Sequence, residues 1–263
     1  MLIVVGRMLS VKLPTHSALI TVMSRAIIKA SKVLLRDFSE LENLQVSVKS
    51  NRDFVTSADR NADKILMQEL RRARPTYSYL SEESEEIMGE DPSHRWIVDP
   101  LDGTANYMHG YPHWAISVAL EKEEEVIAAV TYDPIKNEMF WGEKGCGAYL
   151  NDKKIRVSGR HDIRDALISF GAFESNIFMK KVMSMSRIRK MGAITLDMAY
   201  LAAGRVDVLY FVKPNKWDVA AGMLLIKEAG GILADKDGRP IGNYREISLM
   251  SNLNLLEQAA QIL

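Results

Sequence analysis

The stretch W-I-V-D-P-L-D-G-T-A-N-Y (residues 96–107) decides how the rest of the chain is read. Trp96, Ile97 and Val98 form an apolar run of strand type that stops at Asp99-Pro100. Asp99 and Asp102 then flank a short turn, followed at once by Gly103 and Thr104. Aspartates at a strand end commonly form turns or cap helices. Two acids this close also repel each other unless a cation sits between them or one takes a proton. Oxygen ligands completed by water are what Mg²⁺ prefers. Read alone, the stretch supports a plain turn and a metal site about equally.

Composition narrows the classes around it. The chain has 263 residues, long enough for one large domain or two packed halves. Hydrophobic residues make up 47% and charged residues 26%, which is ordinary globular composition. With 34 basic and 34 acidic residues there is no net field to recruit nucleic acid or an anionic membrane. Cys146 is the single cysteine, which excludes an internal disulfide framework and a thiolate metal cluster, and fits a reducing compartment. The apolar start has no basic region before it and falls short of a membrane span. It reads as a frayed extension or an upstream start, with Met8 a candidate true start, and the expected location is the cytoplasm.

Outward from the opening stretch, apolar residues recur at helical spacing over 16–38, with Thr15 a plausible cap. A polar turn at 49–53 and a brief extended piece lead to a second helix starting at Thr56 or Ser57. Asp59 and Asp63 then lie on one face, and Asp59 in a first turn has an electrostatic-capping reading. Residues 77–80 read as a strand ending at Glu82. After the opening stretch, His109 and His113 share a loop without cysteines at zinc-ligand spacing. Strands at 115–120, 126–133 and 138–142 form an antiparallel meander, with the charge cluster 121–125 a solvated turn. Past about residue 150 the pattern alternates. Strands are expected at 166–170, 206–212, 232–234 and 247–251, and helices at 176–187, 196–204, from Trp217 to Gly230 and at 255–263. The small residues Ala220, Ala221 and Gly222 suit a helix packed close to a neighbour. An α+β half (1–150) followed by an α/β half (151–263), acting as one functional unit, is the expected organisation. No P-loop, no G-x-G-x-x-G after a strand and no G-x-S-x-G elbow is present.

Asp59, Glu82, Asp99, Asp102 and Asp218 share a location type: a strand's C-terminal end or a helix's first turn. Such ends converge on one rim in layered α/β structures. Acids gathered there require cations, and two or three Mg²⁺ ions would make the rim a site for phosphate-ester hydrolysis.

These residues also carry a resemblance. D-P-L-D-G-T-A-N-Y resembles the D-P-[ILV]-D-G-[ST]-x-N-[FY] signature of the inositol monophosphatase family. W-D-V-A-A-G-M-L-L-I-K-E-A-G-G looks like its second signature, S-E-E-S matches its G-E-E-S element, and D-F-V-T-S-A-D matches D-x-V-T-x-x-D. The four motifs appear in the family's order between Lys49 and Gly231. The resemblance implies a five-layer αβαβα sandwich of mixed α+β and α/β character, commonly a homodimer, activated by Mg²⁺ and inhibited by Li⁺. By position, Glu82, Asp99 and the carbonyl of Leu101 would hold one ion. Asp99, Asp102 and Asp218 would hold a second, with Asp99 bridging. A weaker third ion would rest mainly on Glu82, which is therefore counted with the catalytic residues. Thr104 and Asp59 would orient and deprotonate the attacking water, and the amides of Gly103 and Thr104 would bind phosphate oxygens. Asp102, Asp218, Ile194 and Phe211 complete the expected substrate contacts.

Departures from the family bear on substrate. The acid that contacts inositol hydroxyls corresponds to Phe211, and a small residue of the G-[TS]-A segment corresponds to Ile194. Ser81 replaces the usual Gly and Ala105 the usual Thr or Ser, both read as tolerated. The implied activity is hydrolysis of a small phosphorylated polyol such as inositol 1-phosphate. Fructose 1,6-bisphosphate, histidinol phosphate, NADP and 3′-phosphoadenosine 5′-phosphate are alternatives, and a bisphosphate would need cations such as Lys213, Lys216 or Arg189. A non-catalytic regulatory scaffold is the alternative from another class.

Overall fold

A computed structural model describes residues 17–41, 48–171 and 187–263. The first apolar stripe becomes α1 (Ala18–Leu41), which buries Ile20, Met23, Ile27 and Leu34. Its cap is Ser17, whose Oγ accepts from the Ile20 amide at 3.1 Å. The expected cap, Thr15, lies outside the described residues. Helix α2 runs Val48–Ala73, so the expected turn at 49–53 and the extended piece after it are helical. Neither Gly nor Pro interrupts this segment. Ala58, Ala62, Leu66 and Leu70 repeat every fourth residue and bury one face. Asp59 therefore sits in mid-helix rather than in a first turn, and the helix dipole gives no account of it.

A seven-stranded sheet follows in sequence order: β1 (Tyr77–Ser81), β2 (Asp91–Asp102), β3 (Ala115–Lys122), β4 (Glu125–Asp133), β5 (Glu138–Glu143), β6 (Gly147–Leu150) and β7 (Lys153–Ile155). The β1–β2 pair is parallel and the rest is an antiparallel meander. Along β2, Trp96 and Val98 enter the core against α1 and α2, while Ile97 enters the core on the other face. The charged segment 121–125 is only partly a turn. Glu121 and Lys122 extend β3, and Glu121 is buried beside Arg95 (2.6 Å) and Lys216.

A five-stranded sheet has the order β11-β12-β10-β8-β9, with β8 (Ile168–Phe170), β9 (Ile188–Arg189), β10 (Val208–Tyr210), β11 (Ile232–Ala234) and β12 (Leu249–Ser251). The short helix α3 (Thr104–Met108) follows β2. Helices α4 (Ile194–Ala202) and α5 (Lys216–Glu228) share a core that joins the two sheets. They pack closely, since a Cβ on Gly222 would lie 2.6 Å from the Met198 Cβ. On the outer face of the second sheet, α6 (Leu256–Ala260) closes a third core. The layers are thus helix, sheet, helix, sheet, helix. The expected helix at 176–187 lies almost wholly outside the described residues.

Candidate functional site

The opening stretch does not break the strand as its Asp-Pro suggests. β2 continues to Asp102, with Asp99 opposite Ser117 and Asp102 opposite Ala115, so three steps on β2 face two on β3. Pro100 has no amide to donate, and the Leu101 amide turns to Asp99 Oδ1 (3.1 Å). In a regular strand, residues three apart point to opposite faces. The extra residue of this bulge reverses that parity and brings Asp99 and Asp102 to one side.

The parallel pairing then aligns a second acid. Ser81 lies opposite Val98, so Glu82 falls beside Asp99, and the Glu82 amide donates to the Val98 carbonyl (3.3 Å). Asp218 enters from the middle helical layer in the first turn of α5, where its Oδ2 accepts from the Asn215 amide (2.9 Å). One carboxylate oxygen each from Glu82, Asp99 and Asp218 lie within 4.8 Å of one another, close enough to share an ion. Asp102 is buried beside them, and its Oδ2 accepts from Thr195.

The electrostatics are those of acids crowded without cations. Burial, then Asp102, Glu82, Asp59 and Asp218, push the Asp99 carboxyl well above its usual range. Glu82, open to solvent on one side, is raised to about 7 by partial burial and then by Asp218, Glu83 and Asp102. Asp59 is raised to about 8 by burial, then by Glu83 and Glu82, and its Oδ1 is buried with no partner. Asp102 is raised only to about 6, because the Thr195 hydrogen bonds oppose its burial. Among the described residues, no Lys or Arg forms an ion pair with any of these five acids. The basic side chains nearby are already engaged, Lys216 by Glu121 and Arg60 by Glu83 (3.8 Å).

Gly103 has φ of +86°, and a Cβ there would meet the His113 carbonyl at 3.1 Å and Ala193 at 3.2 Å. Glycine is therefore favoured by the left-handed backbone as well as by the packing. Thr104 is exposed at the start of α3, and its hydroxyl donates to the Leu101 carbonyl (3.0 Å). Ile194 is buried at the start of α4. Phe211, just past β10, is half-buried, with its ring over Gly171. No described contact joins Phe211 to the acids. Lys216, offered by the sequence as a phosphate donor, is committed to Glu121, and Arg189 donates to the Ile188 carbonyl (2.8 Å).

Sequence reasoning missed Thr195, and it placed Asp63 on one face with Asp59 without its buried partners Tyr79 and Ser81. Starting the helix at Leu196 instead of Ile194 hid Thr195 in a loop, whereas a threonine in a helix's first turn is a recognisable signal. A groove of about 1000 Å³ lies nearby between α5 and the first sheet, lined by Leu80, Arg95, Glu121, Lys216, Trp217 and Tyr244. It is distinct from the convergent acids, so their chemistry rather than cavity size marks the site.

A layered αβαβα sandwich with acids of mixed burial gathered at a strand bulge is the class of fold and site that the chain presents. The comparisons specify it. The model of the inositol monophosphatase family matches residues 16–262, and the chain belongs to that family, and with it to the phosphoric monoester hydrolases. Inositol-1-monophosphatase from Rhizobium meliloti is 49% identical over 232 residues, covering 85% of this chain and 87% of the relative. The Nus factor SuhB of Xylella fastidiosa is 40% identical over 230 residues, covering 83% and 82%. The crystal structure of extragenic suppressor protein suhB from Bartonella henselae superposes with a TM-score of 0.85 at 42% identity, covering 94% of this chain and 99% of that one. Among the described residues, no helix is long and apolar enough to cross a membrane.

Proposed function

We propose that the chain is a Mg²⁺-dependent phosphomonoesterase that hydrolyses a small phosphorylated polyol, such as inositol 1-phosphate, by direct attack of water. The observation that carries this reading is the convergence of Glu82, Asp99 and Asp218 oxygens within 4.8 Å, with no basic partner among the described residues. An all-oxygen set of mixed burial suits a small hard cation. Glu82, Asp99, Asp102, Asp218 and the Leu101 carbonyl would hold two to three Mg²⁺ ions. Bound there, Mg²⁺ supplies positive charge that draws in the phosphate and makes water a stronger acid.

The remaining work falls to the chain's own groups. Asp59, with a buried and unpartnered Oδ1, accepts the proton of the attacking water. The Thr104 hydroxyl donates its proton to Leu101 and is left to accept from that water, which orients it. Amides of Gly103 and Thr104 contact phosphate oxygens, while Ile194 and Phe211 border the leaving alcohol. Residues 1–150 and 151–263 act as one unit, because Asp218 completes a cluster begun by Glu82 and Asp99. A homodimer is expected, and light scattering on the purified protein reads it.

Phosphate release from inositol 1-phosphate, fructose 1,6-bisphosphate, histidinol phosphate, NADP and 3′-phosphoadenosine 5′-phosphate tests the reading. Turnover is expected with Mg²⁺ and is lost with a chelator. Absence of turnover on every substrate would sink it and favour a regulatory scaffold.

A further inference from the structure

Asp102 is held by a residue 93 positions away in sequence. Its Oδ2 accepts from the Thr195 backbone amide at 2.7 Å and from the Thr195 hydroxyl at 2.5 Å. Both residues are buried, Thr195 completely. The N-cap residue of α4 is Ala193, whose methyl side chain cannot accept from the helix's first amides. Asp102 takes that role from the end of β2. Two donors from Thr195 on one oxygen, with the Ile194 amide as a further partner of the same carboxylate, stop it from rotating. Both bonds are charge-assisted, so they favour the ionised carboxylate. Asp99 lacks such support, since its described hydrogen bond is a single one from the Leu101 amide.

We infer that Thr195 is a positioning residue that fixes the orientation of the Asp102 carboxylate and sets how tightly the acidic cluster binds a divalent cation. Groups that orient a ligand from behind govern affinity because the ligand's geometry is prepared before the ion arrives. The inference rests on the proposed cation site but not on the identity of the substrate. A purely structural cap makes a different demand: it needs the hydroxyl for helix stability alone and is indifferent to cations.

The test is calorimetric titration of Mg²⁺ into the full chain without substrate, for wild type, Thr195→Val and Thr195→Ser. Valine keeps the shape and the backbone amide but removes the hydroxyl, while serine restores it. Thr195→Val is expected to weaken cation binding by about tenfold, and Thr195→Ser to remain within about twofold of wild type. Circular dichroism checks the fold, and if the valine variant fails to fold, Thr195→Ala makes the same comparison. Wild-type affinity in Thr195→Val, equal losses in the valine and serine variants, or no cation binding by wild type would overturn the inference. Weakened cation binding in Thr195→Val together with no phosphate-ester turnover by wild type would leave the inference standing and remove only the phosphatase reading.

Discussion

Ser81 donates its hydroxyl to Asp63 Oδ1 at 2.6 Å, and the Tyr79 hydroxyl donates to the same oxygen at 2.8 Å. These buried bonds tie the end of β1, one residue before Glu82, to α2 one turn after Asp59. The spacing between two acids of the site is thereby fixed through a third acid, on the same helix as Asp59.

Removing the Ser81 hydroxyl tests that tie. Ser81→Ala leaves Asp63 with one fewer donor in a dry environment, which costs roughly 1–3 kcal/mol. Urea denaturation of the purified variant is expected to show that loss, with turnover reduced only severalfold because Tyr79 still holds Asp63. Unchanged stability would mean that Ser81 contributes no more than the glycine common in the family.

Asp59→Asn probes proton removal. Asparagine keeps the shape of the side chain and abolishes its capacity to take a proton. General-base loss is worth about 10²–10⁴-fold in turnover. Mg²⁺ affinity is expected to change little, since Asp59 lies outside the three acids whose oxygens converge. A variant that kept its rate and lost Mg²⁺ would reverse the assignment and make Asp59 a ligand.

Asp99→Asn separates activity from stability. The Asp99 carboxyl is buried and crowded by Asp102, Glu82, Asp59 and Asp218. Neutralising it is expected to lower phosphate release by at least about 100-fold. The same change relieves like-charge repulsion, so melting in a chelator is expected to occur at or above the wild-type temperature. Wild-type turnover in this variant would end the two-ion reading.

The raised carboxyls predict a pH dependence. In the folded chain Asp102, Glu82 and Asp59 hold protons up to about 6, 7 and 8, whereas unfolded carboxyls release them near about 4. Between these limits the folded chain binds more protons than the unfolded one. Without cations, stability therefore falls as pH rises from about 4 to about 8. Added Mg²⁺ compensates for the charges that appear, so it is expected to raise the melting temperature more at pH 8.5 than at pH 5. An equal gain at both would show that the cation does not bind these groups.

Much of this was legible in the sequence because local chemistry and global pattern agree. The alternating meander, the Trp217–Asp218 helix start and the four acidic motifs are read from residues that act within their own segment. What escaped depends on partners distant in sequence. The bulge at Pro100 needs β3 to reveal it, and the burial of Glu121 needs Arg95 and Lys216. Asp59 was misplaced to a first turn because α2 begins earlier than its cap-like Thr56 and Ser57 imply. The Thr195 hydrogen bonds to Asp102 join the middle helical layer to the first sheet, between residues 93 apart in sequence.

Substrate choice under the proposed function turns on the leaving-group side, and Phe211 is where to test it. Its ring packs so closely over Gly171 that a Cβ on that glycine would lie 2.2 Å from it. A phenyl ring cannot accept a polyol's hydroxyl protons as a carboxylate would. Phe211→Glu is therefore expected to raise kcat/KM for inositol 1-phosphate relative to phenyl phosphate by about tenfold, the worth of one net hydrogen bond at its upper end. Ile194→Ala, which enlarges the pocket without adding an acceptor, is expected to help both substrates alike. The ratio of the two specificity constants separates polarity from space. A ratio unmoved by Phe211→Glu would place residue 211 outside the leaving-group pocket, and discrimination would then have to come from α4, where Ile194 is already buried at the helix start.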